Sequence, residues 1–202
     1  MLNTIFFDLG NVLVFFSHEK MVEQVASCTG LAKDAIWKIL IEEKVQENYE
    51  AGKISTPEVV QMFQKRALQP FSTAVFLKAA SDIFTPNLPI YPIIKDLKGQ
   101  GIRLVLLSNT SECHFHHVSS HYPILKLFDD YVLSFEVGAL KPSETIFLKA
   151  LSLANCPPKN CFYTDDIPEF IAGAKKVGLD SALFTGVESL KKSLLLRGLS
   201  FA

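Results

Sequence analysis

The sequence predicts an α/β fold: a parallel sheet with helices on both faces and a helical segment inserted after the first strand. Strand-like and helix-like patterns alternate from about residue 87 onward, which is typical of a parallel sheet. Residues 18–84 are helical throughout, which indicates an insertion. We therefore expect a core of residues 1–16 and 87–202 and a helical cap of residues 17–86. Hydrophobic residues make up 49% of the 202 residues, enough for one full core and a small appended lobe.

The first part of the chain combines a short β-like region with amphipathic helices. Residues 4–9 and 12–14 are β-like, because aliphatic and aromatic residues stand close together there. Ser55, followed by Thr-Pro-Glu, is a typical helix start, because it offers a hydroxyl cap, an early proline and an acid near the helix dipole. Four cap helices are expected: one ending at Gly30, one near 32–43, one beginning after Ser55, and one near 72–84.

The rest of the chain reads as repeated helix and strand units. Helices are expected near 90–98, 143–154, 168–177 and 187–196, and helical pieces near 113–127. Strands are expected near 102–107, 130–134, 161–164 and 181–184.

Charge and hydropathy exclude several classes of function. With 20 Lys and Arg against 21 Asp and Glu, the net charge of −1 offers no broad surface for nucleic acid. No apolar run approaches the length of a membrane span, and the N-terminus lacks the basic region of a signal peptide. The four cysteines lack CxxC spacing, so we expect free thiols in a reducing cytoplasm.

Polar residues follow the predicted strands where a parallel sheet collects its ligands. Asp8 follows the first strand, Ser108 and Asn109 the second, and the pair Asp165 and Asp166 a later one, while Lys141 precedes a helix. Each could be a turn former or helix cap on its own. Together these carboxylates, the ammonium and the Ser-Asn pair suit a phosphate group and a hard divalent cation.

These segments are similar to the four motifs of the haloacid dehalogenase superfamily. Residues 6–13 (FFDLGNVL), 107–110 (LSNT), 141–142 (KP) and 162–166 (FYTDD) stand in the order of those motifs. The resemblance implies a Rossmann-like, three-layer parallel sheet core with an inserted helical cap of type one. Within the superfamily, the first two motifs resemble the branch that contains bacterial α-D-glucose-1-phosphate phosphatase.

The resemblance implies a Mg²⁺-dependent phosphatase. Asp8 would attack phosphorus and form an aspartyl-phosphate, and Lys141 would neutralise the charge between Asp8 and the phosphate. Ser108 and Asn109 would hydrogen-bond the transferring oxygens. The metal ligands would be Asp8, the carbonyl of Gly10 and Asp166, with Asp165 assisting directly or through another ligand. The partner would be a small phosphorylated metabolite, for example a hexose 1-phosphate; the oligomeric state stays open.

Two positions depart from the motifs. Phosphatases of this superfamily usually carry a general acid two residues after the nucleophile, where this chain has Gly10. Loss of the general acid lowers the rate by about 10²–10⁴-fold unless something compensates. The compensation could come from a good leaving group, from an acid in the cap or from a water. A catalytically silent binding protein is therefore the alternative. Phe170 replaces an Asn of the narrower branch and is expected to weaken support around the site without affecting the nucleophile.

Two aromatic and histidine-rich segments allow more than one interpretation. Phe15 and Phe16 could pack at a hinge or form an apolar wall over the substrate. Cys113 together with His114, His116 and His117 could form a zinc site, but no second pair stands at ligand spacing. We expect these histidines to lie at the surface or to face the cap.

Overall fold

A parallel sheet forms the centre of the molecule. The computed structural model describes residues 2–201. Over that range, five strands form one sheet in the order β5-β4-β1-β6-β7. The bounds of these strands are β1 Thr4–Phe7, β4 Arg103–Ser108, β5 Asp130–Leu133, β6 Cys161–Asp165 and β7 Asp180–Leu183. All four pairings are parallel, which confirms the predicted α/β class.

Strand β1 lies at the middle of the sheet, between β4 and β6. Phe7 pairs with Leu106 on one side and with Thr164 on the other. All four residues of β1 are buried, as expected for a parallel strand covered on both faces. The residue that follows β1 therefore lies between the ends of two neighbouring strands.

Helices cover both faces of this sheet and form its two apolar cores. The helices of the alternating part are α6 Tyr91–Gly99, α7 Glu112–His121, α8 Ser134–Val137, α9 Glu144–Ser152, α10 Pro168–Lys176 and α11 Val187–Leu195. Phe7 faces the larger core, which continues into the helical insertion. Phe6 faces the smaller core, which is formed with α9 and α10.

A two-stranded antiparallel ribbon joins the core to the helical insertion. The ribbon consists of β2 Val14–Phe16 and β3 Phe84–Pro86, with Phe15 opposite Thr85. The chain leaves the core along β2 and returns along β3. The two crossings between core and insertion therefore lie side by side.

The insertion contains one helix more than the four that the sequence predicts. The helices are α1 His18–Thr29, α2 Lys33–Trp37, which continues as a π-helical turn over Lys38–Glu42, α3 Val45–Glu50, α4 Thr56–Gln64 and α5 Thr73–Ser81. Helix α3 is the addition within the described residues. Lys44 adopts a left-handed φ of 56°, which ends the preceding turn and lets a new helix begin at Val45.

Local signals explain several boundaries. Helix α1 begins after Ser17, whose side chain accepts the N–H of Lys20, and ends at Gly30 with a φ of 76°. The helical pieces predicted near 113–127 are confirmed: α7 ends at His121, and a 3₁₀ turn over Pro123–Leu127 follows. Pro123 cannot continue an α-helix without losing a backbone hydrogen bond.

No helix within residues 2–201 is both long and apolar enough to cross a membrane. The four cysteines are free thiols, as the sequence predicts.

Candidate active site

The predicted polar residues meet at the carboxyl edge of the sheet. Asp8 follows β1, Ser108 ends β4, Asp165 ends β6, and Lys141 reaches the same point from the loop before α9. These elements are neighbours in the sheet, so side chains far apart in sequence come within hydrogen-bond distance. The convergence that the sequence predicts is confirmed for Asp8, Lys141 and Asp165.

Lys141 is the centre of this site. Its Nζ donates to Asp8 Oδ1 at 2.7 Å, to Asp165 Oδ2 at 2.6 Å and to the carbonyl of Leu107 at 3.1 Å. The side chain is only 1% exposed. Burial by itself lowers the pKa of Lys141, but the attraction of the two carboxylates outweighs it and the pKa is raised. Lys141 is therefore a permanently charged cation with all three protons in use.

Asp8 is nearly buried but keeps access to the space above the sheet. Its side chain is 10% exposed, whereas that of Asp165 is 0% exposed. Burial raises the pKa of Asp8 to about 7. The charge of Lys141 opposes this rise, and the charge of Asp165 adds to it. Its Oδ1 accepts a hydrogen bond from Lys141 Nζ, and Oδ2 is the oxygen that this contact leaves free.

Asp165 is a fixed counter-charge. Its Oδ2 accepts hydrogen bonds from Lys141 and from the hydroxyl of Tyr163, and its Oδ1 accepts the N–H of Ile167 at 2.9 Å. Burial and the neighbouring carboxylates raise the pKa of Tyr163 well above its usual range, so this hydroxyl stays a donor. The arrangement locks Asp165 in the position that orients Lys141.

The carboxyl groups of Asp8, Asp165 and Asp166 form a cluster of oxygen ligands. Each offers one oxygen, and these oxygens all lie within 4.8 Å of one another. Asn11 donates to Asp166 Oδ2 at 3.0 Å, which leaves Oδ1 available. Mg²⁺ takes oxygen ligands at about 2.1 Å, so ligands on opposite sides lie about 4.2 Å apart. The donor set and its spacing fit such an ion.

Ser108 and Asn109 lie beside Lys141. The Asn109 side chain accepts the Lys141 N–H at 2.8 Å and donates to the Lys141 carbonyl at 3.1 Å. This two-point contact fixes the backbone of the lysine. Ser108 is 2% exposed, and its hydroxyl donates to the Asn109 carbonyl at 3.3 Å. Both residues also line the pocket above Asp8.

A pocket of about 60 Å³ lies between this site and the helical insertion. Leu9, Gly10 and Phe16 line it, together with Glu50 from the insertion and His114 from α7. A Cβ atom on Gly10 would lie 2.8 Å from a ring carbon of Phe16. The Phe16 ring therefore occupies the space that a longer residue at position 10 would need. Of the two interpretations of Phe16, the structure favours the apolar wall.

Phe170 and Gly173 place α10 against Lys141. The Phe170 ring centroid lies 4.9 Å from Lys141 Nζ, so the ring contributes a cation–π contact of about 0.5–2 kcal/mol. The expectation that Phe170 gives weaker support than the Asn of the narrower branch stays a prediction. Gly173 allows close packing, because a Cβ there would lie 2.8 Å from Pro142 Cβ and 2.9 Å from Phe147 Cε2.

The histidines of α7 do not assemble into a metal site. Among residues 2–201, the acidic cluster above is the one group of metal-ligand type with suitable spacing. His114 is buried with its Nε2 3.1 Å from the Ala80 carbonyl, and His117 stacks on His121 at 4.2 Å between ring centroids. His114 faces the helical insertion, as expected.

The sequence analysis missed four residues around this site: Asn11, Glu50, Ser134 and Tyr163. Asn11 follows the nucleophile loop, and Tyr163 alternates with Asp165 on β6, so spacing alone could have suggested both. Ser134 donates to the Glu50 carbonyl at 2.6 Å and accepts the Thr110 N–H at 2.9 Å. This contact between insertion and core has no sequence signal.

Comparisons with known proteins agree with this fold. A family model for haloacid dehalogenase-like hydrolases matches residues 2–178. The sesquiterpene phosphatase astK of Aspergillus oryzae is 24% identical over 194 residues, covering 96% of this chain and 94% of that protein. A HAD family enzyme from Bacteroides thetaiotaomicron superposes with a TM-score of 0.83 at 19% identity, covering 96% of this chain and 98% of its own. Its complex with magnesium and inorganic phosphate has a TM-score of 0.77 at 22% identity, covering 91% and 94%.

Proposed function

The chain belongs to the haloacid dehalogenase-like hydrolase family, and we propose that it is a Mg²⁺-dependent phosphatase of small phosphorylated metabolites. The observation that carries this proposal is the contact of Lys141 with both Asp8 and Asp165, beside the free carboxyl oxygen of Asp166. A cation is held against a candidate nucleophile at the edge of a ligand pocket. This arrangement serves the transfer of an anionic group.

The nucleophile is Asp8, through the oxygen that Lys141 leaves free. A carboxylate and a phosphate dianion repel each other: at about 4 Å and an effective dielectric constant near 20, each pair of like charges costs about 4 kcal/mol. Lys141 offsets part of this repulsion, and its position is fixed by Asp165, Asn109 and Phe170. Attack on phosphorus gives an aspartyl-phosphate, which water then hydrolyses.

Asp8, Asp166 and the Gly10 carbonyl would hold Mg²⁺, with Asp165 in support. When bound, the ion supplies positive charge that neutralises the phosphate oxygens. Asn11 orients Asp166 for this role. Ser108, together with Asn109, would bind the phosphate oxygens, since both line the pocket above Asp8.

Residues 17–86 would act as a cap over the core of residues 1–16 and 87–202. The pocket lies between the two parts and includes the cap residues His18 and Glu50. Closing such a pocket excludes bulk water from the transfer. Substrate selection would then belong to the cap, while the core performs the chemistry.

Sugar phosphates esterified at the anomeric carbon are the first candidate substrates. Their leaving group departs more easily than a simple alkoxide, which suits a site with Gly10 in place of a general acid. The resemblance of the first two motifs to the glucose-1-phosphate phosphatase branch supports the same choice.

Phosphate esters of an apolar alcohol are the second candidate. A cavity of about 50 Å³ lies among the cap helices, with Met21, Val25 and Phe63 in its apolar lining. It shares Glu50 and His114 with the pocket above Asp8. The similarity to a sesquiterpene phosphatase points in the same direction.

Phosphate release from p-nitrophenyl phosphate and from a panel of metabolite phosphates tests the proposal. We expect activity with Mg²⁺ that disappears with EDTA and in Asp8→Asn. Asp34→Asn, an exposed position on α2, is the matched control and should keep full activity. Activity that survives in Asp8→Asn would contradict the role of the nucleophile.

The same panel distinguishes the alternatives. Ligand-dependent thermal shifts without turnover of any substrate would favour a silent binding protein. Chloride release from 2-haloacids without added metal would favour a dehalogenase. We disfavour that reaction because it would leave Asp166 without a task.

A further inference from the structure

Glu50 is a carboxyl group in the pocket that the chemistry above does not use. It is the last residue of α3 and lines the same pocket as Gly10, Ser108 and Asn109. It shares that pocket with Gly10, the position where the superfamily usually has its general acid. The side chain is partly buried, between the cap and the core.

The backbone at Glu50 is fixed to the core. Ser134 donates to its carbonyl at 2.6 Å, and two residues later Gly52, with a φ of 68°, passes the main chain of Phe135. A Cβ on Gly52 would lie 2.2 Å from the Phe135 carbonyl oxygen, so the approach is as close as a glycine allows. The preceding residue, Tyr49, accepts the N–H of Cys113 at 3.2 Å. Glu50 therefore holds a defined position over the site.

One carboxyl oxygen of Glu50 is bonded and the other is free. Gln46 Nε2 donates to Glu50 Oε1 at 3.0 Å. No residue in the range 2–201 makes a hydrogen bond to Oε2. A protonated Glu50 would therefore keep the Gln46 contact through Oε1 and present its O–H to the pocket.

The surroundings of Glu50 favour its protonated form. Burial is the largest effect and raises the pKa of Glu50, and the charge of Glu47 adds to this rise. The hydrogen bond from Gln46 and the charge of Lys141 act in the opposite direction. A raised pKa lets the carboxyl group hold its proton to a higher pH than a free glutamate does, which is the direction that general acid catalysis needs.

The two histidines of the pocket are poorer donors. The Nε2–H of His114 is directed at the Ala80 carbonyl, which leaves its Nδ1 as an acceptor. Burial lowers the pKa of His114 to about 4. Burial also lowers the pKa of His18, and its Nε2 faces the Gln46 amide nitrogen at 3.3 Å. Both rings are therefore neutral near pH 7.

We propose that Glu50 is the general acid of this phosphatase. It supplies the proton that Gly10, which has no side chain, cannot donate. Asp8 attacks phosphorus, the ester P–O bond breaks, and the proton of Glu50 passes to the departing oxygen to give the alcohol. The Glu50 carboxylate then accepts a proton from the water that hydrolyses the aspartyl-phosphate. Phosphate is released, and both Asp8 and Glu50 return to their starting states.

This inference rests on the proposed function, and the leaving-group dependence of Glu50→Gln tests it. The substrates are p-nitrophenyl phosphate, phenyl phosphate and an alkyl phosphate, compared by kcat/KM, which reports the first transfer. Glu50→Gln should lose about 10²–10⁴-fold with the alkyl ester, because a poor leaving group needs the proton. The loss should be smaller with p-nitrophenyl phosphate, whose leaving group is stable as an anion.

Glu42→Gln, at an exposed position of the insertion, is the matched control and should leave kcat/KM unchanged for all three esters. Glu50→Asp keeps an acid and should recover part of the alkyl activity. Urea unfolding of each variant separates misfolding from lost chemistry.

An equal loss on all three esters, or no loss on any, would overturn the role of Glu50 and leave the phosphatase standing. A wild-type protein that cleaves none of them would overturn the phosphatase and the inference together.

Discussion

Replacement of Lys141 by Met removes the charge at the centre of the site and keeps a side chain of similar length. In the wild type, Lys141 Nζ contacts Asp8 Oδ1 at 2.7 Å and Asp165 Oδ2 at 2.6 Å. Both carboxylates remain buried in the variant, and Asp165 has no solvent access at all. The substitution therefore leaves negative charge in the interior without its cation.

The cost follows from this burial. Removal of one partner of a buried ion pair typically destabilises a protein by about 3–5 kcal/mol. In a domain of 150–250 residues, each kcal/mol lowers Tm by about 2–4 °C, so we expect a fall of about 6–20 °C. Lost attraction of the phosphate should also abolish phosphate release.

Urea unfolding and thermal melts of the purified variant measure this cost. Lys149→Met, at an exposed position on α9, is the matched control and should remain within about 0.5 kcal/mol of the wild type. A loss below about 1 kcal/mol in Lys141→Met, or an equal loss in both variants, would refute the conclusion that Lys141 balances buried carboxylates.

Three further predictions concern packing and pH. Gly173→Ala should lower the free energy of unfolding by about 1–3 kcal/mol, because the added Cβ would overlap the chain beside Lys141. Gly99→Ala, with open space around it, should stabilise α6 by about 0.5–1 kcal/mol. Equal melting temperatures of the two variants would contradict this prediction. Gly10→Asp should destabilise the wild-type protein but not the Phe16→Ala variant, because the Phe16 ring occupies the space that a side chain at position 10 needs. If a double-mutant cycle shows that the two substitutions change the free energy of unfolding additively, the contact between position 10 and the Phe16 ring is ruled out. Burial lowers the pKa of His114 to about 4 in the folded protein. The protein should therefore lose about 2–3 kcal/mol of stability as the pH falls from 6.5 to 4, because His114 binds a proton more tightly in the unfolded state than in the folded state. Urea unfolding of His114→Gln should therefore show a flatter acid limb, and parallel curves would contradict this.

Much of the fold follows from local pattern. The apolar run of β1 and the Ser55 helix start both occur where the sequence predicts them. Helix α3 was not predicted, because a single left-handed backbone angle at Lys44 ends the preceding turn and lets α3 begin. Such breaks depend on one residue, and a periodic pattern averages over many.

The sequence by itself determined the class of fold and the residues that meet at its carboxyl edge, because parallel strands bring their ends together whatever the loops contain. Only the tertiary structure decided how each group is used. In the folded chain, Asp165 accepts a hydrogen bond from Lys141, and the Phe16 ring lies in the space beside Gly10. Ser134 binds the Glu50 carbonyl and so fixes Glu50 to the core. These contacts join residues on separate elements, and their distances depend on how helices and strands pack.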